Sequence, residues 1–167
     1  MTGSPTGLLR DPTDARRRVT VLHPGDVAGG ESGYRLETLL GSCVAIVLSD
    51  PRRTFGAMCH IVHAKAPATT VARSGAYAAI ALETLYALLL GRGLDPLRCD
   101  AWVFGGGNMF PGLIRQGHVG DDNVRWVLDA LGADGIAVRA CDVGGNVYRR
   151  VAWTVGADEP RAVAVPV

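Results

Sequence analysis

The chain has 167 residues, a length that fits one compact domain rather than several. Hydrophobic residues make up 48% and charged residues 20%, a globular composition that excludes an intrinsically disordered chain. A formal net charge of +1, from 17 basic and 16 acidic side chains, gives no electrostatic footprint for nucleic acid.

Residues 1–17 are polar, without apolar periodicity, and read as a flexible N-terminal arm ahead of a single domain over 18–167. Their only apolar pair, Leu8-Leu9, falls short of a secretory signal. Val19–Leu22 is the first predicted strand, followed by the turn signal His23-Pro24-Gly25-Asp26. Tyr34–Leu40 is the second and Val44–Leu48 the third, the latter apolar throughout, as expected of a strand buried on both faces. The turn Asp50-Pro51-Arg52-Arg53 joins it to a fourth strand, Thr54–His63, as a hairpin.

A helix is expected over Gly75–Leu90, with Ser74 as N-cap and Gly91 as stop. The longest apolar stretch, Ala76–Leu90, is broken by Glu83 and Thr84 and is too short to span a membrane. A cytoplasmic location and four free thiols are the resulting expectations. Ala101–Phe104 is a strand running into Gly105-Gly106-Gly107. A second amphipathic helix, Asn123–Leu131, is capped by Asp121 or Asp122 and stopped by Gly132. Residues 136–142 and 149–155 are two further strands joined through Gly144-Gly145-Asn146, and the C-terminal AVAVPV adds an edge strand. The order predicts a single α+β domain with mixed β-sheets, layered like a β-sandwich, and two to three helices packed on the sheet.

The 22 glycines, about twice the usual share, belong to turns, and one such turn carries chemistry. Gly41-Ser42-Cys43 puts two small residues before a cysteine at the start of a buried strand. A tight turn there leaves the thiol, and backbone N–H groups at Gly41 and Ser42, facing a cleft where they can hold an oxyanion. A thiol needs a base or a positive neighbour to become a nucleophile. Strand alternation puts His60 on the face of Met58 and Val62, with Cys59, Ile61 and His63 on the other. Only one of His60 and His63 can therefore meet Cys43, and each of the three also reads as an ordinary core or surface side chain.

Rival chemistries lack their patterns. Cys59 and His63 form a lone C-x3-H, without the second ligand pair of structural zinc, so no metal is expected. Gly105–Gly107 lacks the Lys-Ser/Thr of a P-loop and the third glycine of a dinucleotide fingerprint, which leaves a sharp turn and no cofactor. His23 and His118 fall in loops and read as exposed. Trp102, Trp126 and Trp153 sit inside predicted elements as core residues.

Several segments form one set in chain order. They are Thr38-Leu39-Leu40-Gly41-Ser42-Cys43-Val44-Ala45, Asp50-Pro51, Gly56-Ala57-Met58 and His60, then Tyr77-Ala78-Ala79 and Phe104–Phe110. Val119–Val124, Asp142–Asn146 and Arg149-Arg150-Val151 complete the set, which resembles, in content and order, the motifs of the CheD family of chemoreceptor glutamine deamidases. The resemblance implies a Cys–His–Thr site that hydrolyses glutamine side-chain amides on methyl-accepting chemotaxis receptors. It assigns Cys43 as nucleophile and His60 as base, with Thr38 as the hydroxyl residue.

Two departures stand out. Glu37 occupies the place six residues before the cysteine where the family's hydroxyl usually lies, so the choice between Thr38 and Glu37 stays open. After His60 the chain reads Ile61-Val62-His63-Ala64-Lys65 in place of a Met-Leu-Pro segment. A CheC-type phosphatase is a further implied partner. A member reduced to binding that phosphatase, as an adaptor without catalysis, is the alternative. Neither nucleic acid nor membrane insertion is expected.

Overall fold

The computed structural model describes residues 18–67 and 73–166. The arm expected over residues 1–17 lies outside them. Within the described residues the order is β1 (Val19–Leu22), β2 (Val27–Glu31), β3 (Arg35–Leu40), β4 (Val44–Ser49) and β5 (Phe55–Cys59). Helix α1 (Ala78–Leu90), β6 (Asp100–Gly105), α2 (Val119–Ala133), β7 (Ala137–Val143), β8 (Val147–Thr154) and β9 (Arg161–Pro166) follow.

The strands form two mixed sheets. One has the order β1-β3-β8-β9 and the other β2-β5-β4-β6-β7. Each contains a single parallel pair, β1 with β3 and β6 with β7.

Alternation along β4, β5 and β6 explains why there are three layers. Val44, Ile46 and Leu48 face one core together with Phe55, Ala57, Cys59, Ala101 and Val103, and both helices cover it. Ala45, Val47, Met58, Trp102 and Phe104 face the opposite way and meet Leu36, Leu40, Val151 and Trp153 of the four-stranded sheet. The five-stranded sheet is thus the middle layer, buried on both faces, as the uninterrupted apolar run of β4 predicts. The fold is the expected α+β architecture of mixed, sandwiched sheets with helices on one face.

Several local expectations are corrected. Strand β2 was not foreseen, because Val27–Glu31 carries two glycines and no apolar alternation. Those glycines make room for rings: a Cβ on Gly29 would strike Phe55, and one on Gly30 would strike Tyr34. Strand β5 ends at Cys59 rather than His63, and α1 begins at Ala78, with Tyr77 at the N-cap instead of Ser74. Helix α2 begins four residues early because His118, expected in an exposed loop, caps it: its Nδ1 accepts from the Gly120 amide at 3.1 Å. Asp121 and Asp122 lie in the first turn, where the helix dipole favours them, and Gly132 lies inside the helix.

Candidate active site

Thr38 and His60 come from different sheets and meet between them. On β3, Leu36, Thr38 and Leu40 alternate onto the buried side, while Glu37 turns outward. His60 follows directly on β5 and keeps the side of Met58, which aims its ring at β3. Thr38 Oγ1 and His60 Nδ1 stand 2.8 Å apart, with the two residues only 2% and 3% exposed.

The hydroxyl's single proton is donated to the Leu22 carbonyl at 2.8 Å. Thr38 therefore accepts at the other contact, and His60 Nδ1 donates. That assignment leaves Nε2 as the unprotonated nitrogen. The backbone of His60 is pinned as well: its amide donates to the Asp26 carbonyl at 3.0 Å, and its carbonyl accepts from the Gly25 amide at 2.9 Å. Glu37 instead pairs with Arg35 at 2.5 Å on the outer face, one third exposed. The hydroxyl at His60 is thus that of Thr38.

Cys43 follows the turn that leaves β3. The register Val47↔Met58, continued by the bridge Val44↔Ile61, sets Ala45 opposite His60 and makes Cys43 the diagonal neighbour of His60 on the same face. Diagonal partners stand about 7–8 Å apart between backbones, within reach of a long or aromatic side chain. Cys43 is half-buried against the inter-sheet core. Its thiol makes no hydrogen bond to His60 among the described residues, the ring's partner there being Thr38. The other candidate, His63, is exposed and stacks on Tyr77 at 6.1 Å, while Cys59 is buried in the helix-side core, so the C-x3-H pair does not converge.

Burial lowers the His60 pKa from its usual value; the Leu22 carbonyl and the Asp26 charge oppose this, and His23 adds to it. Burial raises the Cys43 thiol. At rest both groups are therefore neutral, a thiol and an imidazole on the same face of the sheet. Cys59 is pushed up to about 12 and Cys99 to about 11, both chiefly by burial.

The Gly41–Cys43 turn is held by its carbonyls. Gly41 O accepts from the Gly107 amide at 2.8 Å, Ser42 O from Asn123 Nδ2 at 3.3 Å, and Cys43 O from the Gly106 amide at 2.9 Å. All three carbonyls are spent on the framework, whereas the amides of Ser42 and Cys43 are engaged by no described residue. The glycine run 105–107 is what allows this approach. Gly105 and Gly106 have φ of 113° and 67°, and a Cβ on Gly105 would run into the Cys43 carbonyl. The run is braced from behind: Arg149 Nη1 donates to Gly105 O at 3.2 Å, and Gly144 donates to the same carbonyl at 2.9 Å. Met109 and Tyr148 lie over Gly41.

A cleft of about 490 Å³ lies along α2, lined by His63, Lys65, Asp122, Asn123 and Trp126 among others; neither Cys43 nor His60 lines it, and Asn123 alone links it to the turn, through the Ser42 carbonyl. Its rim includes His63, Ala64 and Lys65, from the segment that departs from the family pattern.

Asn123 and Arg149, which the sequence reading gives no role of their own, bond the backbone around the candidate site, and a signal for them exists. Asn123 shares the buried stripe of Val127 and Leu131, and Arg149 that of Val151 and Trp153. A polar residue in an apolar stripe must find partners, and these two find the backbone of the site.

A half-buried thiol on the same face as a neutral, hydroxyl-held imidazole, on a three-layer α+β scaffold, defines a candidate thiol–imidazole site. The chain belongs to the CheD family: the family model described as CheD chemotactic sensory transduction matches residues 63–159, beyond Cys43 and His60. Curated relatives extend the match. A probable chemoreceptor glutamine deamidase, CheD 2, of Albidiferax ferrireducens is 35% identical over 140 residues, 80% of each chain. One from Dechloromonas aromatica, CheD 3, is 36% identical over 137 residues, again 80% of each chain. A third, from Jannaschia, is 36% identical over 77% of this chain and 71% of its own. A solved Neisseria meningitidis structure, NMB0706 of family-model DUF152, superposes with a TM-score of 0.42 at 14% identity, over 72% of this chain and 52% of that one.

Proposed function

We propose that the protein is a chemoreceptor glutamine deamidase, converting glutamine side chains of methyl-accepting receptors to glutamate and ammonia, with Cys43 as nucleophile and His60 as base. The observation that carries this reading is the Thr38–His60 hydrogen bond, which presents an unprotonated Nε2 on the face that Cys43 shares. His60 Nε2 takes the thiol proton and the sulfur attacks the glutamine amide carbon. The amides of Ser42 and Cys43 receive the developing oxyanion. His60 returns its proton to the departing nitrogen, which leaves as ammonia and gives a thioester. Water, deprotonated at the same Nε2, attacks the thioester; the acyl–sulfur bond breaks, glutamate forms and the thiol is restored. Acylation and deacylation each begin from neutral groups, in keeping with the directions of both pKa shifts.

The cytoplasmic helices of the receptor are the substrate in this reading, and the cleft along α2 takes the helix segment flanking the glutamine. Lys65, Asp122 and Arg125 on its walls give it mixed charge, suited to a polar helix surface. A CheC-type phosphatase is the second partner.

The test is mass spectrometry of a co-expressed receptor fragment, where each Gln→Glu conversion adds about one dalton. Cys43→Ala abolishes the gain and the ammonia release while thermal unfolding stays near that of the parent. Thr38→Val lowers the rate and Thr38→Ser largely keeps it. Wild-type turnover by Cys43→Ala would refute the mechanism. No turnover by the wild-type protein, together with equally slow iodoacetamide labelling of all four cysteines and capture of the phosphatase, would leave the adaptor reading.

A further inference from the structure

We propose that Asn123 is a positioning residue of this site, whose side-chain amide clasps the two chain segments carrying Cys43 and His60. The inference rests on the reading of Cys43 and His60 as nucleophile and base. Strands β4 and β5 stay paired only as far as the bridge Val44↔Ile61, and beyond it the chains part. Ser42 goes into the glycine turn, and Val62 and His63 turn their amides to the Ala76 carbonyl, at 2.8 and 3.0 Å. The Ser42 and Val62 carbonyls are thus left just past the end of the ladder, one residue before the nucleophile and two after the base.

Asn123 fills that fork. It lies in the first half of α2 with no exposed surface, and its Nδ2 donates to Val62 O at 2.9 Å and to Ser42 O at 3.3 Å. Because both partners are carbonyls, only the NH₂ end can face them, which fixes the orientation of the amide. Its Oδ1 is buried without a partner, an expense that an apolar residue in the Val127–Leu131 stripe would avoid. The two N–H donors offset that cost by closing the fork. They hold the diagonal separation of Cys43 and His60, which no backbone pair beyond Val44 sets.

The consequence is kinetic. Removing the amide lets the Ser42 and Val62 segments separate, so the thiol and Nε2 meet less often. Asn123, although it lies in the cleft lining, has no exposed surface to offer a receptor helix, and the exposed walls at His63, Lys65, Asp122 and Arg125 stay in place. Asn123→Ala is expected to lower kcat roughly ten- to hundredfold, in line with the cost of ångström-scale misplacement, with KM little changed. Cys43 alkylation by iodoacetamide, followed against pH, supplies a second readout. The wild-type profile should contain a limb that tracks His60 and vanishes in His60→Ala; in Asn123→Ala the same limb should vanish although His60 is present.

Val127→Ala, on the same buried stripe, is the control for loosened packing of α2. It should lower thermal stability while retaining the limb. Should Asn123→Ala fail to fold, Asn123→Ser, which keeps one donor, should give an intermediate kcat and a weakened limb. Asn123 variants that keep the limb, or lose kcat only as far as Val127→Ala does, overturn the clasp and leave the deamidase reading standing. A wild-type profile with no His60-dependent limb overturns that reading, and the clasp with it.

Discussion

At the scale of single residues, His60 decides the pH behaviour. Its burial depresses the pKa below the usual histidine value of about 6.5, and only its neutral form can take the thiol proton. Receptor deamidation should therefore rise with pH along an acid limb lying below that value. Asp26 is one of the influences holding the pKa up, so Asp26→Asn should move the limb to still lower pH; a limb that moves upward would contradict the assignment. The same depression bears on folding. The unfolded chain binds this proton first as pH falls, so the contribution of His60 to stability is full above about 6.5 and is lost as pH drops through the lower folded value. Legibility at this scale was partial. The face shared by His60 and Met58 follows from alternation alone, but Thr38 and Glu37 differ by one position on a strand. Only the inward placing of Leu36 and Leu40 shows which of the two reaches the ring.

At the scale of elements, two glycine turns have unequal jobs. Gly105 has φ of 113° with its hydrogen side against the Cys43 carbonyl, whereas Gly144, φ 79°, has open space around it. Gly105→Ala must both strain the backbone and push the Cys43 turn away; Gly144→Ala meets only the backbone penalty, of order 1–2 kcal/mol. Urea denaturation should rank Gly105→Ala as clearly the more destabilising, and deamidation should fall sharply only in that variant. Equal losses in both would mean that the glycine run does not brace the nucleophile turn. The sequence marks both runs as turns. It does not show that residues 105–107 lie under residues 41–43, because that juxtaposition is made by the β4–β6 ladder.

At the scale of the whole molecule, two cores share one sheet. Trp102 and Trp153 meet in the inter-sheet core with ring centroids 6.2 Å apart, and the helices cover the other face of the same strands. Since β4 and β6 contribute alternate side chains to both cores, neither can dissolve without exposing the other. Unfolding should be a single transition, with tryptophan fluorescence reporting the sandwich and far-ultraviolet circular dichroism weighted to the helices. Non-coincident midpoints would show that the layers melt separately.

Period and punctuation by themselves determined the class of fold, ten of the eleven strands and α-helices in outline and the doubly buried middle strand. They also marked the glycine turn carrying Cys43 and the face of His60. These are local properties: alternation, apolar spacing and residues suited to tight turns act within a few positions along the chain. Only the tertiary structure decided that Thr38 holds the histidine, that β2 forms at all, and that Asn123 and Arg149 bond the backbone at and behind the Gly41–Cys43 turn. Each of these depends on residues distant in sequence, brought together by sheet register and by helix packing. A polar side chain in a buried stripe announces that it needs a partner, and the fold supplies which one.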